Sequence, residues 1–548
     1  MPESWVALVG PEIEENLSLR YLASSLSASG IRSEIFAFNE GSHLGAVLKG
    51  ITEAPTPPVL VGISLAFQWR ALDFLGLAMA LRESGYSGHI TVGGHFATFA
   101  SADLLRDFPE LDSVCRQESE ETIVDLVKAL ASGSQWTALP GLCVRDASGD
   151  IVLNPARDMP DLTRLPWPDR RGEPAAVFGH KVAPLVSTRG CYANCSFCCI
   201  AAWHEEANPG KRYRSRPLAD VADEMMFLHR ERGVEIFVFQ DDNFFLPGPK
   251  RNAERFNALA DALEERGIGH FATIVKARPT DVHPEVFRIL RDRLKCLRAY
   301  VGIETDSDQG LVTLKRMAGP RHNRIALDTV RQLNLYVTFN LLIFDPDTTL
   351  ADFETNVAFM EENADFPFNF CRTELYAGTP LLARMQQEGR CRGDYLQWDY
   401  SLRSPDIERV FQMAATAFHE RNFATGALAN ALMGTRFDVE ACRHFHPREY
   451  DPAWLEEAKL LSRTLGHDSV RALRAIVAHV RAGQDPESDP ELADRLGVTL
   501  RETEREVRER ARDLARNVYE AVGQGLPLTD LTDRVATPLQ RAVAEVAA

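Results

Sequence analysis

Through the first 130 residues, short apolar runs alternate with segments of helical periodicity. Trp5–Val9, Glu34–Phe38, Val59–Ser64 and His89–Val92 are each of strand length. Asn16–Ser27, Leu44–Ile51 and Leu72–Glu83, which lie between them, repeat apolar residues every three to four positions, and a further helix is expected over Glu120–Ala131. Strand and helix alternating in this way predict a doubly wound parallel sheet, a fold that binds ligands at the carboxyl ends of its strands. Gly93-Gly94-His95 follows the fourth strand at such an end. Weaker strand signals follow at Gly141–Arg145 and Ile151–Leu153, and then a proline-punctuated stretch, Asp161–Asp169, that suits no regular element.

A second series begins near residue 184. Pro184–Thr188, Glu235–Gln240, His270–Val275, Leu297–Ile303, Leu335–Phe344 and Phe368–Leu375 read as strands. The helical segments between them are Leu218–Arg230, Arg251–Arg266, Pro284–Arg293, Asn323–Leu333 and Leu350–Glu362. Six such βα-like repeats predict a partial or full α/β barrel with its catalytic residues at the carboxyl strand ends. Beyond Asp394 the strand signal fades, and Asp406–Phe423, Pro452–Leu465, Ser469–Arg481 and Leu500–Val522 are helical by periodicity. The expected organisation is an α/β chain: a Rossmann-like (flavodoxin-like) domain over 1–135, a linker over 136–183, a barrel over 184–393 and a helical domain over 394–548.

Composition narrows the class. The 548 residues include 61 Lys+Arg and 78 Asp+Glu, a formal charge of −17, with 45% hydrophobic and 25% charged residues. These are ordinary globular values and exclude disorder as the default. No apolar run is long enough to span a bilayer. The start, Met1-Pro2-Glu3-Ser4-Trp5, lacks the basic residues and apolar core of a signal peptide, so a cytoplasmic location is expected. An acidic chain is a poor nucleic-acid binder. The ten cysteines, in a chain of cytosolic type, point to metal or redox chemistry before disulfides.

Three of the ten stand together in Cys191-Tyr192-Ala193-Asn194-Cys195-Ser196-Phe197-Cys198, a C-x3-C-x2-C run just after a strand and the turn Arg189-Gly190. Zinc would want a fourth ligand, and no C-x2-C or H-x3-H partner follows nearby. A [4Fe–4S] cluster held by three thiolates leaves one iron open and suits the count better. Buried thiols or a zinc knuckle are the bland alternative.

With this run after the first strand of a barrel-like series, the sequence resembles a radical S-adenosylmethionine enzyme. The resemblance implies a partial (β/α)6 barrel with Cys191, Cys195 and Cys198 as cluster ligands, the fourth iron chelating the methionine end of the cofactor. It places Phe197 near the adenine. Asp241 and Asp242, in Gln240-Asp241-Asp242-Asn243, stand at the second strand tip, where the family meets the methionine amine and where Gly-Gly-Glu is commoner. Lys276 and Arg278 after the third strand, and Glu304 after the fourth, resemble polar positions lining the cofactor. For Asp241 and Asp242 a helix-capping role at a loop is the alternative.

The preceding αβ domain makes the chain similar to the cobalamin-binding subclass of these enzymes, class B methyltransferases among them. The supporting residues are Ser64 in Val61-Gly62-Ile63-Ser64, Gly93, Gly94 and His95, and Glu118 in Gln117-Glu118-Ser119-Glu120, a loose match to Gly-Glu-x-Glu. The proline-rich linker fits as well. The motif Asp-x-His-x-x-Gly is absent: the chain reads Gly10-Pro11-Glu12-Ile13-Glu14-Glu15-Asn16, so no motif imidazole reaches cobalt. Phe67, Gln68, Trp69 and Arg70 would be placed to shield its lower face. Interface packing for Trp69 and a core or interface role for His95 are the alternatives. Trp203-His204-Glu205-Glu206 faces the active site or forms a surface loop. Tyr376–Pro380 resembles a barrel exit bordering the substrate. Cys296, Cys371, Cys391 and Cys442 read as buried small hydrophobes.

The resemblance implies a [4Fe–4S] cluster, S-adenosylmethionine and cobalamin as cofactors. It implies a radical methyltransferase in which methylcobalamin carries the methyl group and a 5′-deoxyadenosyl radical activates the substrate. The expected acceptor is an unactivated carbon, or a phosphinate phosphorus, in a specialised metabolite or peptide. A monomer reduced by a flavodoxin- or ferredoxin-type partner completes the expectation. A cobalamin-dependent cyclase or rearrangement enzyme shares both modules. A cofactor-sensing protein with a dead barrel is the reading from another class.

Overall fold

A computed structural model of the chain describes residues 5–207, 210, 212–424 and 426–525. Residues 1–4 and 526–548, and with them the expected leaderless start and the end of the expected helical domain, lie outside the described residues. The chain divides into two compact units that are not contiguous in sequence. One comprises Met1–Glu173, Thr188–Pro217 and Leu375–Asp399; the other comprises Pro174–Ser187, Leu218–Glu374 and Tyr400–Ala548.

The first unit is built on a seven-stranded sheet. Its strands are β1 (Trp5–Gly10), β2 (Arg32–Ala37), β3 (Leu60–Ser64), β4 (His89–Gly93), β5 (Ser113–Cys115), β6 (Leu142–Arg145) and β7 (Ile151–Leu153), in the order β2-β1-β3-β4-β5-β6-β7. The first five are parallel, and β6 and β7 add to the β5 edge antiparallel. β1 is buried along its whole length, as a parallel strand with helices on both faces must be. The helix after β1, Leu17–Ala28, starts where Asn16 accepts the Leu19 N–H at 3.3 Å. β5 escapes a reading of hydrophobic pattern because it is three residues long and carries Ser113 and Cys115 about Val114. β6 and β7 come from residues expected to link domains.

In the second unit β8 (Ala175–Val177), β9 (His180–Leu185), β10 (Val234–Phe239), β11 (Ala272–Ala277), β12 (Cys296–Val301), β13 (Tyr336–Phe344) and β14 (Phe368–Arg372) form a sheet in sequence order. The six strands from β9 to β14 are parallel and β8 is antiparallel at the edge. This is an open six-stranded α/β barrel sheet. Its first strand lies earlier than expected. The run Pro184–Thr188 is split: Leu185 ends β9, and Thr188–Gly190 turns away to pair with Tyr213–Ser215 in the first unit.

One face of this sheet changes character along its length. Alternation puts Ile236, Val238 and Gln240 on the same side, with Ile274 and Lys276 beside them. Val182, Ile236, Val238, Ile274 and Tyr336 share one core with Leu428, Leu432 and Phe437 of the helix Leu428–Phe445. The Tyr336 hydroxyl donates to the Met433 carbonyl at 2.6 Å. That helix is buried on nearly every side, its charged residues Arg436, Asp438 and Glu440 included, so no one face reads as solvent-exposed and the periodicity search misses it. Two segments expected as separate helices are one, Pro452–Arg481. Gly466, between the two expected segments, lies within the helix, and a Cβ there would come 3.0 Å from the Ala364 Cβ, so the glycine serves close packing. No helix among the described residues is long and apolar enough to cross a membrane.

Candidate functional site

In the first unit the cysteine loop is held between the arms of a short antiparallel pair, in which Thr188, Arg189 and Gly190 face Ser215, Arg214 and Tyr213. Gly190 has φ +84°, and a Cβ on it would sit 1.9 Å from the Arg212 carbonyl oxygen. Only glycine can precede Cys191 here. Cys195 is buried, while Cys191, Phe197 and Cys198 are half-buried. The Ala193 N–H points to the Cys191 sulfur at 3.4 Å, the Cys198 N–H meets the Cys195 carbonyl at 3.3 Å, and the Leu381 N–H holds the Ser196 carbonyl at 2.7 Å.

Burial pushes the Cys198 thiol well above its ordinary pKa, and negative charge on Cys199, Cys195 and Cys191 adds to the rise. The thiols are therefore near enough to repel one another as thiolates, a cost that bound iron relieves. Among the described residues no three His, Cys, Asp or Glu side chains converge on one point as a single metal ion requires. Three separate thiolates with an N–H directed at sulfur fit a cluster, in which each ligand takes its own iron.

At the carboxyl end of the same unit's sheet, Ser64 pairs with Gly93, and the Leu65 N–H donates to the Gly93 carbonyl at 2.7 Å. Gly94 has φ +115°, and a Cβ there would lie 2.9 Å from the Ala66 Cα. Ser64, Phe67, Gly93, Gly94 and His95 are half-buried. Gln68 is buried, with Oε1 lacking a hydrogen-bond partner among the described residues. Gln117, which the sequence marks only as the first position of the loose Gly-Glu-x-Glu match, is buried with neither side-chain amide atom partnered among the described residues and has φ +56°. A left-handed glutamine stands where the motif Gly-Glu-x-Glu has glycine, which would relieve that strain. Buried amides without partners at these strand ends fit cobalamin, whose periphery is itself rich in amides.

Two residues of the proposed lower-face loop separate. Trp69 is 51% exposed, whereas Arg70 is buried, its guanidinium 4.9 Å from the Phe74 ring and donating to the Phe38 carbonyl at 3.3 Å. Arg70 thus braces its own domain. His95 lies 4.7 Å from the Trp203 ring. Trp203 belongs to the helix Ile200–Ala207 just past the cysteines and donates to Thr98 Oγ1 at 3.2 Å. Gly378 packs on Phe99, so the turn Tyr376–Pro380 clasps this unit. Glu118 is taken up by ion pairs with Arg189 at 2.7 Å and with Arg214, and His204 Nδ1 lies 3.9 Å from it. Burial opposes its charge, but the Arg189 and Arg214 guanidiniums hold the carboxyl below its ordinary pKa.

The second unit holds the remaining expected residues at its strand tips. Asp241 is buried and accepts the Ser187 N–H at 3.1 Å and hydroxyl at 2.7 Å, while Arg255 donates to the Ser187 hydroxyl at 2.8 Å. It ties the end of the first barrel strand to the second. Asp242 is exposed. Lys276 Nζ donates to Gln240 Oε1 at 2.9 Å. Arg278 donates to the Arg316 carbonyl. Glu304 has φ +64°, an uncommon conformation for this residue; burial raises its pKa while Arg316 and Arg278 oppose the rise.

Two neighbours of Glu304 lie outside the motif reading. Tyr300 is raised well above its ordinary pKa by burial and then by Glu304 and Cys371. Cys371, expected as a buried hydrophobe, is half-buried, and burial followed by Glu374 and Glu304 keeps its thiol protonated. Strand parity was the available signal, since Tyr300 falls on the side of Arg298, whose guanidinium lies 5.7 Å from the Phe437 ring of the inner helix.

Residues 5–127 match the B12 binding domain and residues 185–360 the Radical SAM superfamily. An uncharacterized methyltransferase of Pyrococcus horikoshii is 24% identical over 67% of this chain and 77% of its own. The anaerobic magnesium-protoporphyrin IX monomethyl ester cyclase of Synechocystis is 26% identical over 47% of this chain and half of its own. The fold is like that of the cobalamin-dependent S-adenosylmethionine radical enzyme OxsB, solved with aqua-cobalamin and S-adenosylmethionine bound, at TM-score 0.67 and 16% identity over 99% of this chain and 84% of that one. A B12-binding domain followed by a radical SAM domain, which together call for cobalamin, a [4Fe–4S] cluster and S-adenosylmethionine, places this chain among the cobalamin-dependent radical SAM enzymes.

Proposed function

We propose that the protein is a methyltransferase acting on an unactivated carbon, or on a phosphinate phosphorus, of a small specialised metabolite or a peptide. The observation that carries this reading is the grouping of Thr188–Pro217, with all three loop cysteines, in the same compact unit as the N-terminal sheet. When bound, the cluster and S-adenosylmethionine supply a hydrogen-abstracting radical, and cobalamin supplies a methyl group. The chain's part is to hold and exclude. Cys191, Cys195 and Cys198 anchor the cluster loop, and Gln68 and Gln117 offer amides to the corrin periphery. Lys276 and Arg278 supply positive charge for the methionine carboxylate. Tyr300 and Cys371 stay neutral at pH 7 and give the inner face uncharged polar contacts for substrate. Electrons come from a flavodoxin- or ferredoxin-type partner.

The methyltransferase relative, matched over most of its length, supports this reading; the cyclase relative supports a cyclase or rearrangement enzyme as the alternative. The deciding experiment needs no substrate. The cluster-loaded protein is incubated with hydroxocobalamin, a one-electron reductant and S-adenosylmethionine labelled in its methyl group. Label recovered on cobalamin is the expected result. Continued 5′-deoxyadenosine formation with no label on cobalamin would overturn methyl transfer in favour of the cyclase reading.

A further inference from the structure

Consecutive residues of the loop after β5 face two different demands. Gln117 keeps an unpartnered, buried side-chain amide at the end of the sheet suited to cobalamin. Its neighbour Glu118 is spent on the cysteine loop. The Glu118 carboxylate accepts Arg189 at 2.7 Å and also Arg214, and Glu120 accepts the same Arg189 nitrogen at 2.7 Å. The Arg189 guanidinium also lies 4.6 Å from the Tyr21 ring. Arg189 and Arg214 are cross-strand partners on the two strands that open and close the cysteine loop, and Gly190 alone separates Arg189 from Cys191.

The far side of the loop is tied to the same place. Trp203 donates to Thr98 Oγ1, and that oxygen also accepts the Gln117 N–H at 2.9 Å. Both arms of the cysteine loop therefore rest on the short helix His95–Phe99 and on the turn 117–118, which border the corrin end of the sheet. Buried, paired charges resist separation, because parting them strands a charge out of water. A shift of the 117–118 turn must then carry the loop with it or break the pairs.

We propose that cobalamin occupancy and cluster assembly are thermodynamically coupled through the Glu118–Arg189 pair. A bound corrin that fixes the turn at Gln117 fixes the cysteine loop in its ligating arrangement, and a bound cluster returns the same free energy to corrin binding. The proposal rests on the two cofactors and not on the reaction assigned above.

The test is an anaerobic absorbance titration of the full-length chain with hydroxocobalamin, once with the cluster reconstituted and once after its removal by chelation. The cluster-loaded protein should bind about fivefold more tightly or better. Glu118→Gln should bring the two affinities together, whereas a purely structural role would weaken both and leave their ratio alone. If Glu118→Gln does not give a cooperative melt, Arg189→Lys, which keeps the charge and loses the forked geometry, decides on the same criterion. Equal affinities in the wild-type protein, or a wild-type ratio in the deciding variant, would overturn the coupling.

Discussion

Asp241 accepts both the backbone N–H and the hydroxyl of Ser187, at 3.1 and 2.7 Å, with all these atoms buried. Ser187 stands four positions before Cys191 in the chain, so the carboxylate fixes the point from which the cysteine segment departs.

Asp241→Ala should therefore act on stability first. Each buried donor left unsatisfied costs about 1–3 kcal/mol, seen as a lower melting temperature. Asp241→Asn, which keeps an acceptor, should lose less. In a double-mutant cycle with Ser187→Ala the two losses should be clearly non-additive. Were Asp241 instead a direct contact to the methionine amine, the alanine variant would melt normally and show only a raised KM for S-adenosylmethionine.

Gly190→Ala should empty the iron site. The added methyl would collide with the Arg212 carbonyl and demand an unfavourable φ, about 1–3 kcal/mol of backbone strain before any clash. Counts of iron and sulfide after anaerobic reconstitution should fall by more than half, while hydroxocobalamin still binds.

Gln117→Gly should separate stability from affinity. Glycine accepts the φ of +56° without strain, so the melting temperature should hold or rise. The lost amide should weaken cobalamin by about three- to tenfold, the worth of one hydrogen bond, as read by titration. An unchanged dissociation constant would remove Gln117 from the corrin contacts.

Asp306 provides a pH test in the second unit. Burial pushes its pKa up to about 6 from 3.8, against the pull of Asn323 and Arg324. The folded state thus holds this proton more tightly than the unfolded chain. Stability from this group is fully present below pH 3.8 and is lost as pH rises through 6. The difference in melting temperature between wild type and Asp306→Asn should change between pH 4 and 7, in the direction of relative wild-type loss at the higher pH, and stay flat above it.

The alternation of strand and helix, the C-x3-C-x2-C run and the glycines at the strand ends were legible because each is a local pattern with a local physical cause. Gly190 and Gly94 announce backbone conformations that no other residue adopts cheaply. The roles of Glu118, Asp241 and Arg70 were not legible in that way. A carboxylate reads the same in sequence whether it meets a cofactor or, as Glu118 does, an arginine 71 residues on, and only packing decides which. Leu428–Phe445 stayed hidden for the opposite reason: nearly all of it is buried, and Arg436 and Glu440 pair with each other inside instead of facing water, so nothing in its periodicity marks it.

That same helix turns the barrel into a cul-de-sac. Its side chains stop the inner face of the sheet from below, at the level of Ile236, Val238 and Ile274, and leave the tier of Gln240, Lys276 and Tyr300 above it. The apolar core fills that end of the inner face, so a ligand of this sheet has polar partners only in the tier toward the carboxyl ends of the strands, where Lys276 and Gln240 already hold each other.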